Sequence, residues 1–243
     1  MELTSPWTSQ QFWRESSGGD NGEYHSLALP GLLERLDGDR KCGILDLGPA
    51  HGATVEFFSQ YSCKLYVADL YRSLNARRVD PGIDRPPDLP DKPDRPGKFA
   101  EPQDEEEEAA ERTRIFDELL AYDGDTRFDL VLAWDLLNYL EPAQIEVLSR
   151  RLARFSHDGT KLFAMVAIHK EIPARPCAFK ILDTETLEYD ALTHGTRTAP
   201  RHAEPALRRL MSGFDVESTC VLRNGLQEYV FTFAPGLARR QAS

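Results

Sequence analysis

The chain contains no C-x-x-C pair, and its four cysteines, Cys42, Cys63, Cys177 and Cys220, lie far apart. That scatter excludes the usual zinc and dithiol patterns, so no metal site is expected. It fits a reduced, cytoplasmic setting in which each thiol is a small buried hydrophobe. Long apolar runs are also missing. No stretch approaches the roughly 18 apolar residues of a membrane span. The opening "MELTSPWTSQQFW" has neither the basic start nor the apolar centre of a secretory signal, and none is expected. Internal repeats are absent. Positive charge is scarce, with 29 Lys and Arg against 40 Asp and Glu, a net of −11. Repulsion from phosphate backbones disfavours nucleic acid as a partner. The surplus is concentrated, however: Asp80 to Arg112 holds 12 acids and 5 bases, and the remaining chain carries only −4.

That acidic segment is the clearest break in the sequence. "DPGIDRPPDLPDKPDRPGKFAEPQ" holds seven of the 16 prolines. Such a composition buries too little apolar surface to offset the entropy of ordering. Residues 80–103 therefore read as a disordered insertion within one domain spanning 1–243, with a lid or partner-docking arm as the sharper alternative. The acids Asp104 to Glu108 favour the start of a helix running to Tyr122, where the helix dipole welcomes negative charge.

On either side of the insertion, strands and helices alternate. "CGILDL" and "CKLYVADL" read as buried strands separated by the short helix "ATVEFFSQY". "FDLVLAW" (Phe128 to Trp134) and "KLFAMVAI" (Lys161 to Ile168) are two more strands. Between them Pro142 opens a helix that carries Ile145, Leu148, Leu152 and Phe155 on one face. Near-continuous apolar strands alternating with helices imply a doubly wound, mostly parallel α/β sheet of Rossmann-like type, covered on both faces. Near the end, Asn224-Gly225 separates two runs rich in Val, Thr, Tyr and Phe, the signature of a two-residue turn. The sheet should thus close with an antiparallel β-hairpin.

In such a sheet, ligands bind beyond the carboxyl ends of the strands, where the topology switches. The stretch "ILDLGPAHGATVEFF" stands at that place. Gly48 and Gly52 allow a sharp turn and a close approach of backbone to a ligand. Asp69, at the end of the next strand, is placed to accept from ribose hydroxyls, although an aspartate there also serves as an ordinary helix cap. A nucleoside-bearing cofactor meets these demands. A dinucleotide would want G-x-G-x-x-G. Here Ala50 occupies the middle position, and Asp46 sets a carboxylate where a diphosphate would be repelled and a cation such as a sulfonium welcomed.

"DLGPAHG" resembles the first motif of class I S-adenosylmethionine-dependent methyltransferases, matching at Asp46, Gly48 and Gly52 and departing at Ala50. The resemblance runs from about Tyr24 to Phe233 outside the insertion. It implies a seven-stranded sheet, S-adenosyl-L-methionine as cofactor, and methyl transfer to a small molecule or a protein side chain. It also implies a ribose role for Asp69, adenine packing by Leu70 and an adenine contact from Asp117 in "IFDELL". The residues themselves leave two alternatives: a binding or regulatory protein that keeps the fold without the transfer, and a nicotinamide-dependent oxidoreductase.

Positioning supplies much of the rate of a methyl transfer, and a base is required only where the acceptor must lose a proton. The candidate bases stand where strands end. Asp135 follows the fourth strand in "WDLLNYL", with Asn138 and Tyr139 behind it, and His169 follows the fifth. Trp134 and Tyr139 read as aromatic packing over the cofactor crevice. No N-P-P-Y-like run follows the fourth strand, which argues against methylation of exocyclic base or glutamine nitrogens. Substrate choice is assigned to the N-terminal stretch and to an insertion over 169–202. In that insertion, "FKILDTETLEYD" reads as a small hairpin able to roof the site, near Arg175 and Arg197.

Overall fold

The apolar runs form strands in chain order, and helices fill the gaps. A computed structural model describes residues 22–36, 41–78, 102–190, 195–200, 202–222 and 226–236, with backbone alone at 78 and 102–104. The strands are β1 (Gly22–His25), β2 (Cys42–Asp46), β3 (Cys63–Val67), β4 (Phe128–Trp134), β5 (Ser156–Ala167), β6 (Glu171–Pro173), β7 (Ala178–Ile181), β8 (Thr186–Asp190), β9 (Thr196–Thr198), β10 (Phe214–Val221) and β11 (Leu226–Phe233). The helices are α1 (Leu29–Leu33), α2 (Gly52–Phe58), α3 (Leu70–Arg78), α4 (Pro102–Leu119), α5 (Pro142–Ala153) and α6 (Glu204–Leu210).

The main sheet has the order β10-β11-β5-β4-β2-β3. Strands β3, β2, β4 and β5 run parallel. Strand β11 is antiparallel to β5, and β10 to β11. This is the α/β, Rossmann-like, mostly parallel sheet with a terminal antiparallel pair. The six strands read from the residues are the six found. The seventh, which came with the resemblance alone, has no counterpart among the described residues: from β3 the described chain passes through α3 and then α4 directly to β4. Residues 79–101, and with them most of the acidic insertion, lie outside the described residues. So does the Asn224-Gly225 turn, though its flanking strands pair from Val221 with Gln227 to Phe214 with Phe233.

The central strands β2, β4 and β5 are buried on both faces, as parallel strands require, whereas the edge strand β3, expected to be buried, and much of β10 are partly exposed. Along β4 the side chains alternate with the pleat: Val131 and Ala133 face one cluster with Leu70, Phe116, Ile145 and Leu148. Leu130, Leu132 and Trp134 face the other, with Leu29, Phe57, Phe58 and Phe179. Each leucine fully buried in these layers contributes roughly 1.5–3 kcal/mol. Helix α5 begins as its sequence dictates. Pro142 needs no hydrogen-bond partner in the first turn, and the Glu141 amide donates to Gln144 Oε1 at 2.9 Å in a capping box.

Strand β5 starts at Ser156, five residues before the expected Lys161. Its early part bends through Gly159, whose φ of +85° suits glycine. The expected hairpin is present as β7 and β8, paired from Ala178 with Asp190 to Ile181 with Leu187. Strand β1 adds to its far side, giving a second sheet of order β1-β8-β7. Strand β1 and the β7–β8 hairpin, far apart in the chain, thus combine into one roof whose Phe179 stacks on Trp134 at the end of β4.

Candidate active site

A cavity of about 810 Å³ opens at the carboxyl ends of β2, β3 and β4. Its wall takes Leu47, Gly48 and Pro49 from the turn after β2, and Asp69 from the end of β3. Tyr71, Arg72, Asn75 and Ala76 come from α3, and Ala133, Trp134, Asp135 and Leu136 from the end of β4. Arg175, Pro176 and Cys177 descend from the roof.

Two wall residues have backbones that ordinary side chains avoid. Asp69 has φ +38° and Trp134 φ +48°, and among the described residues these are the two non-glycine residues with positive φ. Left-handed geometry is uncommon outside glycine and a clear outlier for a bulky side chain such as Trp. Strain of this kind costs about 1–3 kcal/mol and concentrates at functional sites. Both instances terminate strands adjoining β2, and both border the same cavity.

Asp46 holds this rim together from behind. Its Oδ1 accepts from the Gly48 amide at 2.9 Å and from the Trp134 indole nitrogen at 2.7 Å. Burial pushes its pKa up to about 6; those two hydrogen bonds pull it down, and the Asp69 charge raises it further. Gly48 is demanded by the same contact. A Cβ there would stand 2.8 Å from Trp134 Cδ1 and 3.2 Å from Asp46 Oδ1. At Gly52 a Cβ would meet nothing within 4 Å.

Asp135 is the most buried polar group on the wall, with 2% exposure. One oxygen, Oδ2, accepts from the Cys177 amide of the roof at 3.0 Å. The other, Oδ1, has no hydrogen-bond partner. Burial pushes its pKa up to about 7, against the pull of the Cys177 amide, of its own amide and of the Cys177 thiol. Asn138 fixes the loop beneath it: Nδ2 donates to the carbonyls of Asp135 and Met165, each at 3.0 Å, and Oδ1 accepts from the Ala167 amide at 2.9 Å. The roof is pinned at further points. Tyr139 Oη donates to the Arg175 carbonyl at 2.9 Å, and Phe179 stacks on Trp134 with ring centroids 5.3 Å apart.

Of the residues picked from the sequence, Gly48, Asp69, Trp134 and Asp135 meet on the cavity wall. The others lie elsewhere. Asp46 is 3% exposed behind Gly48 and Trp134. Leu70 is fully buried in the core, its amide bonded to the Leu47 carbonyl at 2.9 Å, and the wall position falls to Tyr71. Ala50 and Gly52 are exposed at the outer side of the turn. Asp117 sits in α4, paired with Arg151 at 2.8 Å, away from this cavity. His169 is half-buried after β5 and is not part of the wall. His51 caps α2, its Nδ1 accepting from the Ala53 amide at 3.3 Å.

Sequence reasoning missed Tyr71, Arg72, Asn75 and Ala76 as a set, although the spacing 72, 75, 76 is one helical face. Cys177 carried no local signal, because its meeting with Asp135 spans 42 residues. Among the described residues no group of three or more His, Cys, Asp or Glu is arranged to hold a metal ion. No described helix is long and apolar enough to cross a membrane.

A family model described as a methyltransferase domain matches residues 23–220. Among solved structures, the chain is similar to the PH0226 protein of Pyrococcus horikoshii OT3, with 14% identity over 85% of this chain and 88% of that one and a TM-score of 0.42. It is similar to 1,6-didemethyltoxoflavin-N1-methyltransferase of Burkholderia thailandensis, with 15% identity over 93% and 87% and a TM-score of 0.41. A TehB-like SAM-dependent methyltransferase of Corynebacterium glutamicum gives 12% identity over 93% and 96%, with a TM-score of 0.42. No curated protein matches.

Proposed function

The chain belongs to the methyltransferase-domain family, and from that premise we propose that it transfers a methyl group from S-adenosyl-L-methionine to an acceptor held beneath the roof. The observation that carries this reading is the meeting of Gly48, Asp69 and Asp135 on one cavity at the carboxyl ends of β2, β3 and β4. The donor set fits the cofactor. Asp69 offers a carboxylate to ribose hydroxyls, and Gly48 and Pro49 offer a turn of low bulk. The Asp69 and Asp135 carboxylates share the wall with the guanidinium groups of Arg72 and Arg175, so acidic and basic groups both face the cavity.

When bound, the cofactor supplies a methyl group on sulfonium sulfur, whose breaking carbon–sulfur bond leaves its electron pair on sulfur. The chain's own residues then have separable tasks. Asp46 acts through Gly48 and Trp134, setting the turn and the indole that bound the crevice. Leu70 supports the wall from the core. Asp135 is the candidate general base, a buried carboxylate among the wall residues whose pKa burial pushes up to about 7, into the range suited to exchanging a proton at neutral pH.

Incubation of the chain with S-adenosylmethionine and fractionated cell extract, followed by mass spectrometry for S-adenosylhomocysteine, tests the transfer. Product formation that Asp69→Ala abolishes and Asp135→Asn slows by about 10²–10⁴-fold supports the proposal. Binding of S-adenosylhomocysteine without turnover across all fractions would point instead to a regulatory protein of this fold.

A further inference from the structure

We propose that Cys42 and Cys63 form a redox modification site, at which a low-molecular-weight disulfide such as oxidised glutathione joins them as an intrachain disulfide and locks β3 to β2. The proposal stands apart from the methyl-transfer reading, and its test needs no acceptor.

The first observation is placement. The two cysteines lie 21 residues apart, with no C-x-x-C spacing to announce them. The fold makes them neighbours: each opens its strand, and they are register partners in the parallel pair of β2 and β3. Register partners project to the same face of a sheet. Both side chains accordingly pack with the cluster that holds Leu29, Phe57 and Phe58. Adjacent strands lie about 4.7–4.9 Å apart, within the roughly 4.4–6.8 Å that a disulfide spans between α-carbons.

The second observation is contact between the sulfurs. Burial, then the charge of a Cys42 thiolate, then a hydrogen bond with the Cys42 side chain push the Cys63 thiol up to about 11. The last two causes require neighbouring sulfur atoms. Each thiol also donates to a backbone carbonyl, Cys42 to Ser62 at 3.7 Å and Cys63 to Phe58 at 3.2 Å. A thiol is a weak donor, so these bonds yield readily.

The third observation is access with room to move. Cys42 is buried and Cys63 half-buried, so an external reagent meets Cys63 first. Strand β3 is an edge strand, hydrogen-bonded on one side among the described residues, and can shift toward β2 as the bond closes. The other two cysteines are placed apart from this pair. Cys177 lies under the roof against Asp135, and Cys220 is on β10, at the opposite edge of the sheet.

The chemistry is two thiol–disulfide exchanges. Cys63 loses its proton to solvent, and its thiolate attacks one sulfur of oxidised glutathione, releasing one glutathione thiolate. Cys42 then loses its proton and attacks Cys63 Sγ, which expels the second glutathione. The two protein thiols give up two electrons in all, and one oxidised glutathione becomes two glutathiones, which take up the two protons. The high pKa of Cys63 keeps the thiolate scarce at neutral pH, so the resting form is the dithiol.

The intact chain is incubated with oxidised glutathione in mildly alkaline buffer without denaturant, alkylated, and mapped by peptide mass spectrometry. The expected result is one cross-linked peptide pair holding Cys42 and Cys63, reversed by dithiothreitol, with two of the four thiols lost. Cys42→Ser should stop the reaction at a glutathione adduct on Cys63, and Cys63→Ser should leave Cys42 unmodified. The urea midpoint of the oxidised wild type should move to higher urea, because a cross-link restricts the unfolded chain. Cys42→Ser treated in the same way should show no such rise. A persistent glutathione adduct on wild-type Cys63, a cross-link through Cys177 or Cys220, or a Cys42–Cys63 bond that forms only in urea overturns the site. A native cross-link that leaves the urea midpoint unmoved overturns the locking of β3.

Discussion

The indole nitrogen of Trp134 donates to Oδ1 of Asp46 at 2.7 Å, tying the end of β4 to the end of β2 behind the cavity wall. The Gly48 amide shares that oxygen at 2.9 Å. The first-motif acid therefore acts as a brace: it sets the shape of the turn and the pose of a strained tryptophan.

Gly48→Ala should test the brace directly. Its Cβ would intrude on Trp134, which is packed between Asp46, Phe163 and Phe179 and has little freedom to yield. Overpacking of this kind costs about 1–3 kcal/mol. Urea unfolding should show a loss in that range, whereas Gly52→Ala, where the added methyl meets nothing, should leave stability nearly unchanged.

The two buried carboxylates give a definite pH signature. Asp46 is pushed up to about 6 and Asp135 to about 7 by burial, both above the ordinary value of about 3.9. A raised carboxylate pKa means that the folded state keeps a proton the unfolded chain has released. Their stabilising contribution is therefore complete below about pH 3.9 and is lost as pH rises through about 6 and 7. Wild-type stability measured against Asp46→Asn and Asp135→Asn should fall between pH 4 and 8. If Asp135 is the base, kcat/KM should rise with pH through about 7, and Asp135→Asn should remove that rise.

Asp69→Gly separates strain from function. Glycine accepts φ +38° freely, which offsets the lost side-chain contacts and the greater entropy of the unfolded chain. Melting should shift by no more than about 1 kcal/mol in either direction. Affinity for S-adenosylhomocysteine should nevertheless drop by at least about tenfold, or about 1.4 kcal/mol. Equal affinity in the variant would remove Asp69 from the ribose role.

Phe179→Ala tests the roof. The ring is 4% exposed and stacks on Trp134, so truncation should cost about 3–5 kcal/mol. Hydrogen exchange should accelerate first at the Cys177 amide, which links roof and floor through Asp135.

How far the sequence was legible follows from the range of each interaction. The six strands of the main sheet and the β7–β8 hairpin depend on local apolar patterning and turn residues, and all were readable. The exact wall was less so. Leu70 and Tyr71 are neighbours, and the left-handed step at Asp69 decides which faces the core and which the cavity; no periodicity announces a single such residue. Asp117 pairs instead with Arg151 of α5, a contact between separate helices that no spacing in the sequence announces. The roof joins β1 to β8 across more than 160 residues of chain, and contacts that distant leave no trace in spacing.

Calorimetric titration of the intact chain with S-adenosylhomocysteine and, separately, with NAD bears most directly on the central claim that the crevice at Asp69 and Asp135 is made for the adenosyl cofactor of a methyltransferase. Saturable one-to-one binding of S-adenosylhomocysteine, accompanied by about 2.7 kcal/mol of added stability at 100 times its dissociation constant and by no heat from NAD, is the predicted result. Binding of NAD alone, or of neither ligand, would contradict it.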